Sequence, residues 1–510
     1  MTAAAWRLVW EWAGSRGEAT DINPQWTEVA RLYDGGASRR QVEVSFRPRG
    51  LSVAALVEAG AHPHSGRGSL YLGDRLIIAS RWVEASYDID GEPLTVTLSE
   101  SPDDDRGLWP PIGLESRIGW DRLSQVDRAR RFSEGGAYLA TGKIDATAWP
   151  SANSSAIGQG YPIVVGSPGS TTAPAVPAYG IAAAGAAVAL LVSGARASGS
   201  VRVWGIDNTS GATPTMVAAA STSALSADTD GYGTSVTLTS INHASEGLDY
   251  SDGSVMATSW ESAAGLPAGA GSLLQMIASA STARLDVGSF GGCASFLDRY
   301  RFDGYFDQRT PALGLIGAQF LPLLPASIVT GADGAGLVIW PWIDGAHHAV
   351  AHLVEGPGFA RASRVTYRGE PLSSVVFSYG YDIARSAYTR RKVITPDASA
   401  HARHAMMTAG ESADLVEIES RLVWDDASAS RMLSDRMTQL AMPRRELSFI
   451  ADAARYGSGG DRELQIGMAV DLTDTGLRLS RRAAVVSAIE RSATSLRITC
   501  TLRDDALSGR

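Results

Sequence analysis

Residues 426–503 constrain the fold more than any other stretch. Apolar residues recur at helical spacing over 426–442, with Met432, Leu433, Met437 and Leu440 on one side, and Pro443 stops the run. Short strand-like segments follow. The last places Leu496, Ile498, Cys500 and Leu502 in period two, so all four are expected to point inward. Between them, Val470-Asp471-Leu472-Thr473-Asp474 is polar enough to predict a turn. A helix followed by strands that close on themselves predicts a barrel with a helix packed on it, leaving Arg431 and Arg436 for neighbours. No catalytic spacing lies within this stretch, which reads as a shaped wall and not as a reactive pocket.

The rest of the chain agrees with a mainly β fold with a few short helices. At 510 residues it is long enough for three or four domains. The 54 glycines and 22 prolines favour short strands and turns. Alternation predicts strands at 41–46, 70–82 and 94–98, and a short helix at 51–59. Residues 102–111 read as an acidic boundary loop, and 115–145 as a polar helical stretch with Arg122, Arg128, Arg130 and Arg131. No charged residue occurs between Asp145 and Arg196, which suits a buried or subunit-facing layer and equally a loop-rich one. Strands are expected at 163–165, 188–192, 201–203 and 236–238, and a helix capped by Ser272. Phe290, Phe296, Tyr300, Phe302, Tyr305 and Phe306 are expected mainly in the core, although such rings also suit a carbohydrate platform. Strands return at 337–342, 349–354, 364–367, 375–381 and 415–424, with 395–413 as a polar loop.

Few residue spacings in the chain suit catalysis or metal binding. Gly331, Gly334 and Gly336 lack the lysine and following helix of a phosphate loop, and Gly166-Ser167-Pro168-Gly169 lacks the spacing of a nucleophile elbow. His348 and His352 stand four apart, as on a zinc-binding helix, with His347 beside them. Their surroundings read as strand, so sheet histidines are expected; His62, His64, His401 and His404 read as loop residues. Asp88-x-Asp90-Gly91 and Asp228-x-Asp230-Gly231 lack the later ligands of a calcium loop and read as turns. Asp103-Asp104-Asp105 reads as a solvated acidic loop. Two distant cysteines, Cys293 and Cys500, make neither a disulfide framework nor a metal cluster, and are expected as buried free thiols in a reducing compartment. The net charge of −9 and pI near 5.5 argue against broad phosphate binding. Of 45 basic residues only Lys143 and Lys392 are lysines, a bias that suits either coding preference or arginine forks at interfaces. The longest apolar run, 181–192, is about half of the roughly twenty residues that a bilayer requires. The first residues have no basic start, so neither a signal peptide nor a membrane span is expected.

Several segments, taken in order, resemble the tail hub (baseplate hub, tail tip) proteins of long-tailed bacteriophages and gene transfer agents. They are 88–102 (Asp-Ile-Asp-Gly-Glu-Pro-Leu-Thr-Val-Thr-Leu-Ser-Glu-Ser-Pro), 297–305 (Leu-Asp-Arg-Tyr-Arg-Phe-Asp-Gly-Tyr) with the Leu-Pro segment 321–325, and the terminal helix with 443–449, 467–472 and 495–503. The resemblance implies four domains, two of them barrels like the tail-tube subunit: 1–100 as the first, 345–510 as the second with the terminal helix, and 101–200 and 201–344 as smaller insertions. It implies a non-enzymatic homotrimer in the virion tail, assembled in the host cytoplasm, whose six barrels match a six-fold tube to a three-fold tip. A distal tail protein or the tube would lie above, and the tape measure protein and central fibre or tip proteins below. DNA would pass a negative or neutral lumen without specific binding. No cofactor, metal or catalytic residue is implied. The chain departs from some relatives in lacking a cysteine-rich metal cluster and in stopping within ten residues of its last strand, which places receptor binding on another polypeptide. The competing readings are a tip-associated cell-wall hydrolase using His347, His348 or His352, and a carbohydrate-binding module using Tyr300, Phe302 and Tyr305.

Overall fold

Both ends of the chain meet in one sheet. The computed structural model describes residues 5–503 apart from 30–38, 88–92, 110–143, 145–153, 194–198, 207–214, 225–233, 239–254, 344–348, 369–373, 396–414 and some shorter stretches. Within a thirteen-stranded sheet, the first part orders its strands as Arg67–Leu72, Arg75–Tyr87, Leu94–Glu100, Arg39–Phe46 and Gln25–Val29, with the short helix Val53–Glu58 following Arg39–Phe46 in the chain. Alternation turns Val42, Val44, Phe46, Leu94, Val96 and Leu98 inward against Trp10, Trp12 and Trp82. The hairpin Trp6–Trp12 and Ser15–Ala19 is added outside Arg67–Leu72, and its turn uses the left-handed pair Ala13 (φ 52°) and Gly14 (φ 78°).

The second part repeats this order with other residues. Ala469–Asp474, Leu479–Arg491, Leu496–Arg503, Arg444–Ala451 and Arg364–Arg368 lie side by side, and the short helix Ala453–Tyr456 follows Arg444–Ala451. Each module has one thirteen-residue strand with a register shift, at Trp82/Glu84 in the first and Val486/Ala488 in the second. Trp82 lies opposite Leu98 and Val486 opposite Cys500. On that alignment Arg39 and Arg40 correspond to Arg444 and Arg445. A seam joins the modules: Gln25–Val29 pairs antiparallel with the end of Leu479–Arg491, from Val29 opposite Ala488 to Trp26 opposite Arg491.

The 470–474 stretch is therefore a strand and not the expected turn. Val470 and Leu472 face the core, while buried Asp474 accepts from the Leu477 amide (2.8 Å) and the Ala362 amide (3.1 Å). The turn falls after it. Leu496, Ile498, Cys500 and Leu502 do point inward.

Between the first two strands of the second module, 374–440 forms a separate unit. Ser374–Asp382 pairs with Ala387–Ile394 and Leu415–Glu419, and the helix Asp426–Leu440 follows. Contrary to the expectation that it packs on the second module, that helix packs elsewhere. Met432, Leu433 and Met437 share a core with Phe377, Tyr379 and the helices Ala270–Ala278 and Val287–Leu297. Nor are its arginines left over: Arg431 donates to the Arg299 carbonyl, and Arg436 lies half-buried over the Trp340 ring. The N-cap of Ala270–Ala278 is Gly269, not Ser272. Asp298 instead caps this helix from outside, accepting from the Ser272 amide and hydroxyl at 2.8 Å each. A seven-stranded sheet draws on both sides of residue 200, because Val176–Ala184 and Ser200–Ile206 both pair with Val255–Trp260. The expected helical stretch 115–145 lies, apart from Ile144, outside the described residues.

Candidate assembly surface

The joined sheet has one apolar face, which holds the two module cores, and one polar face. On the polar face Glu84, Thr97, Glu43 and Gln25 form one cross-strand row, and Gln41, Thr27, Glu490 and Arg497 another. Two open grooves meet there at Glu490 and Arg497 and continue past Ser448, Thr499, Thr366 and Glu446. The four glutamates Glu43, Glu84, Glu446 and Glu490 lie among four arginines, Arg39, Arg364, Arg491 and Arg497, so these linings carry balanced charge. Arg497 meets Glu490 at 3.1 Å, an exposed pair worth little stability, and Ser448 and Thr499 share a hydrogen bond across strands at 3.1 Å. The arrangement offers hydroxyls and paired charges along one face of the sheet.

Arginine forks hold this wall to the interior. Buried Arg40 donates to the carbonyls of Ile77 and, at 3.3 Å, Gly331. Arg284 donates to the Leu76 and Ile77 carbonyls (3.1 and 2.8 Å) and meets Glu100 at 3.2 Å. Arg75 bridges Glu463 (2.8 Å) and Asp333 (3.3 Å). These contacts dock the first module on the hairpin Ala326–Gly331 and Gly334–Ile339, whose turn glycine, Gly334 (φ +109°), leaves no room for a Cβ beside the Arg284 carbonyl. Arginine suits such sites because one planar group can serve several acceptors.

The 297–305 segment is a second junction. Tyr300 donates to Asp435 on the terminal helix, Arg301 meets Asp303 at 3.0 Å, and Asp303 accepts from the Ser167 amide at 2.7 Å. Burial raises the Asp303 carboxyl above its ordinary range. Tyr300 and Phe302 are fully buried, so they cannot form the carbohydrate platform considered from sequence; Tyr305 is half-buried against the seven-stranded sheet. Asp105, expected in a solvated loop, is buried and accepts from the Thr282 amide (2.9 Å), its hydroxyl (3.2 Å) and the Leu313 amide (3.0 Å). Nothing in the local sequence signalled that role, since its partners lie about two hundred residues away.

Among the described residues the reactive candidates do not converge. His352 sits exposed on the strand Ala351–Val354, bonded to the Thr473 hydroxyl at 2.8 Å. His62 lies in a loop and uses its carbonyl to accept from the Trp12 indole at 3.1 Å. His64, His347, His348, His401, His404, Asp88, Asp90, Asp103, Asp104, Asp228 and Asp230 lie outside the described residues. Among the described residues, no three histidine, cysteine or acidic side chains gather as a metal site. Burial pushes the Cys500 thiol up to about 12 and the Cys293 thiol up to about 11, so both stay protonated and poorly nucleophilic at neutral pH. Among the described residues no helix is long and apolar enough to cross a membrane.

No protein-family model matches the chain, and no curated protein matches it in sequence. Solved structures similar to it are phage tail and gene transfer agent proteins. The 43 kDa tail protein of prophage MuSo2 from Shewanella oneidensis is 8% identical, over 98% of this chain and 99% of that one, with a TM-score of 0.35. A tail protein from Neisseria meningitidis MC58 is 7% identical, over 99% and 98%, with a TM-score of 0.38. A chain of the native gene transfer agent virion is 14% identical, over 73% and 90%, with a TM-score of 0.43. Likeness at this level leaves the role to be argued from the chain's own geometry.

Proposed function

We propose that the chain is a structural tail hub protein. Three copies form a ring that matches a six-fold tail tube to a three-fold tip and lines the channel through which DNA passes. The observation that carries this reading is the duplicated module: two units with one strand order, joined in a single sheet, give a three-copy ring six similar units. The polar face suits a channel wall, because balanced charge neither captures phosphate nor presents a strong barrier to it. The neighbours would be a distal tail protein or the tube on one side, and the tape measure protein and tip or fibre proteins on the other. The role is non-catalytic and belongs to the virion tail.

The solution mass of the purified chain tests this. Three times the 53.6 kDa chain mass is expected, and a stable monomer at assembly concentrations would count against a hub. Cell-wall zymography separates the hub from a hydrolase. No clearing is expected, and clearing that His348→Ala abolishes would overturn the non-catalytic role.

A further inference from the structure

Four tyrosines gather where three parts of the chain meet. Tyr179 stands on Val176–Ala184 of the seven-stranded sheet, and Tyr305 on the short strand Gly304–Phe306. Tyr381 and Tyr388 lie opposite each other on the pair Ser374–Asp382 and Ala387–Ile394. Two backbone bonds hold these parts together. The Ile383 amide donates to the Pro174 carbonyl at 3.2 Å, and the Asp303 amide to the Leu422 carbonyl at 2.7 Å. The second sets Tyr305 near Arg421, which follows Leu415–Glu419 in the chain.

Rings and charges are shared across this junction. The Tyr381 and Tyr388 rings cross edge to face with centres 5.2 Å apart. The Arg421 guanidinium lies 4.3 Å over the Tyr381 ring and bonds the Tyr388 phenol. Tyr179, Tyr381 and Arg421 all act electrostatically on the Tyr305 phenol. Burial pushes the Tyr179 phenol up to about 12 and raises those of Tyr305 and Tyr388, so all three remain O–H donors at neutral pH. The four tyrosines are half-buried, whereas Arg421, Asp307 and Glu419 are exposed. Asp307 acts on Tyr179 and Tyr305, and Glu419 on Tyr388, so each end of the cluster has its own carboxylate. Of the rings considered from sequence for a carbohydrate platform, only Tyr305 belongs to this group.

The geometry points to this cluster as a binding site for a pyranose-based oligosaccharide. The negative faces of the tyrosine rings attract the polarised C–H bonds on the apolar side of a sugar. Sugar hydroxyls both donate and accept, so one ligand serves the carboxylates and Arg421 together. A few polar groups around an aromatic surface are the usual makings of a small-ligand site. Other ligands fit less well. Arg421 already covers Tyr381 and repels a second cation, and the two carboxylates repel nucleic acid. A proline-rich peptide would stack on the rings but brings no N–H from its prolines to Asp307 or Glu419. The site does not depend on how many copies assemble.

Saturation-transfer NMR of the full chain with cellotriose and with chitotriose tests this. Both sugars present flat C–H faces, and they differ in their acetamido groups. Saturable binding of at least one is expected, weakened about tenfold by Tyr388→Ala, which removes one stacking ring. Tyr388→Phe keeps the ring and should bind more tightly than Tyr388→Ala. Because the tyrosines also pack the junction, the exposed carboxylates give a separate readout. Asp307→Ala and Glu419→Ala should each weaken binding several-fold with an unchanged melting temperature. Tyr71→Ala, at the distant contact with Arg7, should leave binding as it is. No saturable binding of either sugar would overturn the site, as would binding that survives Tyr388→Ala or falls equally in Tyr71→Ala. A proline decamer that binds through Tyr388 while neither sugar does would put a peptide in place of the sugar and overturn the assignment.

Discussion

In the first module Trp10, Trp12, Phe46 and Trp82 fill the space above the sheet, with Trp12 and Trp82 5.6 Å apart between ring centres. In the second module the positions of Phe46 and Trp82 hold Ala451 and Val486, and the filling comes from elsewhere: Phe359 lies 4.8 Å from Phe449 and 5.7 Å from Tyr456. Strand order, register shift and short helix recur although these side chains do not. The fold is set by which residues alternate inward and by the pairing register, whereas core volume is met by whichever elements are at hand. The second module also accommodates the 374–440 unit between its first two strands without losing the order of the rest.

The largest expected effect breaks this comparison at its most unequal position. Trp82→Ala should destabilise the first module by about 3–5 kcal/mol, and the counterpart Val486→Ala by about 2 kcal/mol, in chemical denaturation. Equal losses would mean that the two cores do not divide volume as described. Arg40→Met should cost about 2–3 kcal/mol, because it removes charged hydrogen bonds from buried carbonyls at the module's dock. A change within 0.5 kcal/mol, about the scatter of surface substitutions, would show the fork to be dispensable. Gly66→Ala would set a methyl 2.2 Å from the Trp82 ring and should cost about 1–3 kcal/mol, less once Trp82→Ala has made room. Additive losses would argue against that contact.

Smaller effects come from two carboxyls with opposite pH behaviour. The Tyr379 hydroxyl, at 2.7 Å, and Arg390 hold Asp426 below its ordinary range. Its contribution is present above the ordinary carboxylate value and is lost as pH falls through the depressed one. Burial raises Asp303, so its protonated form is favoured in the fold, and stability declines as pH climbs from the ordinary value through the raised one. Thermal melts across the carboxylate range should therefore show Asp426→Asn flattening the acid-side loss and Asp303→Asn removing a decline in the other direction. Parallel curves for both variants and the parent would contradict the two environments.

Period-two alternation made the closing strand legible, and Leu496, Ile498, Cys500 and Leu502 lie where it put them. The same rule was overridden at 470–474, where three polar residues suggested a turn; Asp474 is polar because it caps the real turn. Ser272 looked like a helix cap because its partner, Asp298, is 26 residues away and invisible to a local reading. The terminal helix was legible as a helix but its docking was not, since amphipathic spacing shows that a face is buried and not what buries it. The duplicated module left only scattered traces in residue identity, with Thr27, Arg39, Arg40, Leu94 and Thr97 recurring as Thr366, Arg444, Arg445, Leu496 and Thr499; the pairing register reveals it. The polar face has no motif because its rows mix hydroxyls with unlike charges spread over distant strands and gather no single reactive group.

In the proposed hub, two equivalent modules per chain build one ring wall. A reconstruction of the assembled full chain by electron cryomicroscopy tests it most directly. Three copies should place six similar modules around a channel, with Glu490, Arg497 and Thr27 facing the lumen. A monomer, or a ring that turns this polar face outward, would contradict the account.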